Sequence, residues 1–79
     1  MNYYYKLKDM EDDRYSYYIV TDTKCDDLID DICGNYIADE ECEINGKVYC
    51  EENFLQYIYV VLKDNGIKVE QIRFKQFLW

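Results

Sequence analysis

Four cysteines and seventeen carboxylates are the side chains of this 79-residue chain best equipped to hold a metal or attack a substrate. The cysteines stand at 25, 33, 42 and 50, separated by seven, eight and seven residues. Zinc sites draw their thiolates from much closer pairs, usually with histidine, and this chain has no histidine. The acidic residues around each cysteine disfavour the thiolate a nucleophile needs. The expected state is therefore four free thiols that pack as small hydrophobes. Without histidine the commonest general base is missing, and Ser16, the only serine, lies between Tyr15 and Tyr17 with no activating neighbour. Three dispersed glycines form no phosphate loop. The expectation is a protein that is not an enzyme and carries no cofactor.

One stretch has the layout of a calcium loop. In residues 41–52 the oxygen donors Glu41, Glu43 and Asn45 fall at the first, third and fifth places, Gly46 at the sixth and Glu52 at the twelfth. Glutamate at the first and third places is too long for a tight loop, and no second loop exists to pair with it. An acidic hairpin turning at Asn45-Gly46 accounts for the same residues.

The elements that must position these groups follow from periodicity. Tyr3, Tyr5 and Leu7 alternate on one strand, and Tyr15, Tyr17 and Ile19 on a second, joined by a polar turn over 9–14. Thr23, with Asp26 three residues on, resembles a capping box. Cys25, Leu28, Ile29, Ile32, Cys33, Tyr36 and Ile37 then form a helical stripe, which predicts a helix to about Ile37. After the 41–50 hairpin, Asn53 and Gln56 cap a second helix over Phe54, Ile58, Val61 and Leu62, with Gly66 as its stop. A last strand is expected over 67–79, with a bulge near Gln71 where the alternation changes phase. The fold class is α+β: a small antiparallel sheet in β-β-α-hairpin-α-β order, covered on one face by two helices, in a single domain. The chain starts without a basic, apolar leader, and its apolar run at 57–62 is too short to cross a bilayer. A cytoplasmic protein with no membrane partner is expected.

Charge gives the positive clue. The net charge is −8, but residues 1–52 hold fifteen acids against five bases, whereas residues 53–79 are net basic. The acids gather in three groups. Asp12 and Asp13 belong to the first, over 9–13; Asp26, Asp27, Asp30 and Asp31 form the second; Asp39, Glu40, Glu41 and Glu43 form the third. The second group lies opposite the apolar stripe, with like charges at i,i+4, each pair costing about 0.2–0.5 kcal/mol. A helix selected for stability alone would interleave lysine. This one fits a face shaped for a basic protein surface, with tyrosines as anchors; direct binding to nucleic acid is opposed by like charge.

In size, acidity and aromatic content the chain resembles the small anti-CRISPR and other anti-defence inhibitors encoded by phages, and it is similar in kind to immunity proteins that neutralise nuclease toxins. The resemblance rests on no motif. It implies a nucleic-acid-processing partner, such as an RNA-guided nuclease, blocked by carboxylates standing in for phosphates. The alternatives are an immunity protein, a calcium module at 41–52, or a homo-oligomer formed through the terminal strand with Phe77, Leu78 and Trp79.

Overall fold

The computed structural model describes residues 2–10, 12 and 14–72. Two strands, β1 (Tyr3–Lys8) and β2 (Ser16–Thr21), form the expected tyrosine-rich hairpin. Leu7 lies across from Tyr17, and Tyr5 across from Ile19. Alternation sends Leu7 and Ile19 inward, where both are fully buried, and leaves Tyr4, Lys6 and Lys8 exposed on the other face. The 9–15 turn is closed by its own polar groups. Asp9 accepts from the Tyr17 hydroxyl (2.7 Å) and from the backbone N–H of Asp12 (3.3 Å).

The first helix, α1 (Asp26–Asn35), begins and ends differently from expectation. Thr23 does not cap it: its hydroxyl donates to Asp22 (3.1 Å), and its carbonyl accepts from Thr21 (2.8 Å). Cys25 occupies the cap position with no side-chain cap. Its backbone N–H donates to the Tyr5 hydroxyl (2.9 Å), which in turn donates to Asp26 (2.7 Å). A β1 tyrosine thus does what local sequence assigned to threonine. At the other end, Tyr36 leaves the helix with extended backbone (φ −76, ψ 129). It packs its ring on Tyr57 at 4.8 Å and Phe54 at 5.3 Å, and donates its hydroxyl to the Glu51 carbonyl. Aromatic packing outweighs one more helical turn, and Ile37 is left exposed. Gly34 stays within the helix.

Two short strands follow, β3 (Cys42–Ile44) and β4 (Lys47–Tyr49), joined by Asn45 (φ 52) and Gly46 (φ 82). Positive φ at both turn residues matches the turn type that Asn-Gly favours. Cys42 lies across from Tyr49, not Cys50. This hairpin stays apart from the main sheet and packs on α1 instead.

The second helix, α2 (Phe54–Asp64), is capped as the sequence predicts, by Asn53 accepting from the Gln56 N–H (2.8 Å). Its stop is Gly66 at φ 76. Phe54, Tyr57, Ile58, Val61 and Leu62 are buried. They meet Leu7 and Ile19 from the sheet, Ile29 and Ile32 from α1, and Ile44 and Tyr49 from the small hairpin in one core.

The last strand, β5 (Val69–Gln71), is shorter than expected and pairs antiparallel with β2, giving the order β1-β2-β5. The Ile72 N–H still donates to the Tyr18 carbonyl (2.8 Å), so pairing runs through Gln71 without the expected bulge. The predicted strand beyond it, with Phe77, Leu78 and Trp79, lies outside the described residues. The molecule is therefore α+β, with two helices and two antiparallel sheets of three and two strands among the described residues.

Candidate functional site

The helix face carrying Asp26, Asp27, Asp30 and Asp31 is set by α1's own amphipathicity. Ile29 and Ile32 are buried and Leu28 and Cys33 half-buried, which leaves all four aspartates exposed. No basic residue stands in the last turn to oppose the macrodipole. Lys24 reaches Asp26 at 3.8 Å with both side chains largely exposed, a contact worth little in water. Among the described residues, Asp27, Asp30 and Asp31 have no cation within 4.0 Å. Asp30 instead helps burial to push the Cys33 thiol up, burial being the larger cause.

Tertiary structure adds a groove beside this face that sequence spacing did not reveal. It encloses about 550 Å3 between the start of α1, the tip of the small hairpin and the end of α2. Asp26, Asp27 and Asp31 line it together with Lys24, Asn45 and Asn65, while Cys25, Leu28 and Ile67 supply less exposed, apolar lining. Asp30 does not line it. Carboxylates and amide groups over an apolar base suit the stem and charged head of lysine or arginine.

The other two acidic groups are not equivalent to this one. Asp12 is engaged by Arg14 through two side-chain hydrogen bonds (3.0 and 2.8 Å) and by its backbone N–H (3.1 Å). These contacts hold its carboxyl below the usual range. Asp9 likewise accepts from the Tyr17 hydroxyl and the Asp12 N–H within the turn, while Asp13 lies outside the described residues. In the third group Asp39 adopts left-handed backbone (φ 60) in a turn. Its N–H donates to the Glu51 carbonyl (3.1 Å), and the Glu40 N–H to that of Ile37 (3.2 Å). Their side chains, with those of Glu41 and Glu43, are exposed. β3, which carries Glu43, packs on α1.

The calcium layout at 41–52 folds as a paired hairpin rather than a loop. Glu43 lies across from Val48, and Asn45 sits at the turn. Residues of a strand advance by about 3.3 Å each, so Glu41, Glu43 and Asn45 are drawn out along β3 and its ends instead of wrapping round one point as calcium ligands must. Among the described residues no three histidine, cysteine or acidic side chains gather closely enough to hold a metal ion.

All four thiols are free. Cys25 and Cys42 are buried and Cys33 is partly so, as packing thiols would be, but Cys50 is exposed. Cys42 is locked into the 37–42 turn, its sulfur accepting from the Ile37 N–H (3.4 Å) and lying 3.5 Å from the Glu40 carbonyl.

Comparison with protein-family models, curated proteins and solved structures gives no match. No helix among the described residues is long and apolar enough to cross a membrane.

Proposed function

We propose that this chain is a small acidic binding protein that occupies a basic surface of a nucleic-acid-processing protein and blocks it. The observation that carries the reading is the α1 face: four exposed aspartates, three of them without a cation in reach among the described residues. Along the helix axis they span about 7.5 Å. Four charges in that length approach the density of duplex DNA, which has one per ~1.7 Å of axis. Carboxylates so spaced can stand in for phosphates in a cleft built for nucleic acid, as the resemblance to anti-CRISPR inhibitors implies. The adjoining groove receives one lysine or arginine of that surface, and the exposed Asp39, Glu40, Glu41 and Glu43 add to the negative field. Long-range attraction speeds encounter and weakens with salt. Asp12 contributes little, since Arg14 already neutralises it.

The test is capture of partners from the native host with the wild-type chain and with a variant carrying Asp→Lys at 26, 27, 30 and 31. The expected partners are basic nucleic-acid-binding proteins, released by added DNA and inhibited in binding or cleavage by the wild-type chain alone. A variant that stays folded and still captures and inhibits the same partner would overturn the reading.

A further inference from the structure

The main sheet leaves β1 as an edge. Strand order is β1-β2-β5, and among the described residues no strand pairs with the other side of β1. Which backbone groups face outward follows from the hydrogen bonds that flank the sheet. The Asp9 N–H donates to the Tyr15 carbonyl (2.9 Å), whereas the Ile72 N–H donates to the Tyr18 carbonyl and the Asp22 N–H to that of Lys68. On β2, then, odd-numbered residues bond toward β1 and even-numbered ones toward β5. With Tyr3 across from Thr21 and Tyr5 across from Ile19, the odd residues of β1 face β2. Asn2, Tyr4, Lys6 and Lys8 consequently turn their N–H and C=O groups away from the sheet.

Proteins commonly protect such an edge with lysine, and Lys6 and Lys8 are placed to do so. They leave one pairing of the whole strand unopposed. We propose that two copies of this chain join through β1, antiparallel, about a two-fold axis at Tyr5. In this register Tyr4 lies opposite the second copy's Lys6, Asn2 opposite its Lys8, and Tyr3 opposite its Leu7. Every outward-facing backbone group from Asn2 to Lys8 is paired, and each lysine meets an uncharged side chain. Sliding the strands so that the axis falls at Lys6 sets lysine on lysine; moving it to Leu7 sets Lys6 against Lys8. Moving it to Tyr4 removes Lys8 from the pairing. Lys6 already lies over the Tyr18 ring, 5.9 Å from its centroid, which draws its charge back across its own sheet. Tyr4, 53% exposed, is free to meet the second copy's lysine stem. The contact is isologous, so it closes as a pair rather than growing into a fibre. A single strand edge is smaller than a standard interface, so the pair is weak and forms only at high protein concentration. Each copy carries −8, so added salt strengthens the pair by screening repulsion, the reverse of its effect on the basic-partner contact.

Sedimentation of the full chain from about 10 µM to 1 mM, in about 50 and 500 mM salt, combined with amide exchange, tests this. The expected result is a dimer that grows with concentration and with salt. The Tyr4 and Lys6 amides should slow at least about tenfold on dimerisation, while those of Tyr5 and Leu7 are slow at every concentration. Lys6→Pro removes an outward N–H without breaking the β1–β2 ladder and should give a monomer. Tyr4→Lys, which sets like charges opposite each other twice, should do the same in low salt. The proposal is overturned by a monomer at 1 mM in both salts, or by a dimer that survives both variants. It is equally overturned if the Tyr4 and Lys6 amides exchange freely in the dimer, or are protected at every concentration.

Discussion

Replacing Asp30 and Asp31 with lysine should stabilise this protein while removing its proposed contact. In the wild type each stands one turn after an aspartate of the same exposed face, Asp26 or Asp27, and neither has a cation in reach among the described residues. Relieving two like-charge pairs contributes roughly 0.7 kcal/mol, and the two acid-before-base pairs that replace them contribute about the same. Lysine is also the better helix former, by roughly 0.3–0.4 kcal/mol at each position. The total is about 2 kcal/mol, which for a domain of this size raises the melting temperature by roughly 8–16 °C. Urea denaturation and thermal melting of both proteins measure it. In about 0.5 M salt the pairwise part should be screened away, leaving the propensity part of about 0.7 kcal/mol. A melting temperature that is unchanged or lower in low salt refutes the reasoning, because the acidic face would then be at no energetic disadvantage. A stabilised variant that has lost its partner would show that the face is kept for binding at the expense of stability.

Three other outcomes follow from the core and the caps. Tyr57 is fully buried and its hydroxyl has no hydrogen-bond partner among the described residues, so Tyr57→Phe should be neutral or stabilise by about 1 kcal/mol in urea denaturation. Asn53→Ala removes the side-chain cap of α2 and should destabilise by about 1 kcal/mol, measured the same way. Burial pushes the Tyr5, Tyr49 and Tyr57 hydroxyls up to about 12, with Asp64 adding to the effect at Tyr49. Each folded value lies above the unfolded one near 10, so the stability these phenols contribute is complete below about pH 10 and is lost as pH rises toward 12. Absorbance of tyrosinate should therefore rise together with loss of helical circular dichroism across that window; full ionisation of all ten tyrosines near pH 10, with the fold intact, would contradict the burial described.

Much of the architecture is local and could be read from residue order. Alternation fixed the inward faces of β1 and β2, Asn45-Gly46 fixed the small hairpin, and Asn53 with Gly66 bounded α2, because each signal acts within a few residues. The helical period also placed Asp26, Asp27, Asp30 and Asp31 on the solvent side of α1. What the sequence could not decide depends on residues far apart in the chain. Tyr5, twenty residues upstream, meets the Cys25 N–H and displaces Thr23 as the start of α1. Tyr36 abandons the helix because Phe54 and Tyr57 offer its ring a better surface. Arg14 engages Asp12 while Asp27, Asp30 and Asp31 have no such cation among the described residues, so acidic groups that look alike in sequence differ in the fold. The groove beside α1 exists only because the hairpin tip and the end of α2 close on it. Charge and periodicity are properties of neighbouring residues; whether a carboxylate remains available to a partner is settled by which distant groups reach it first.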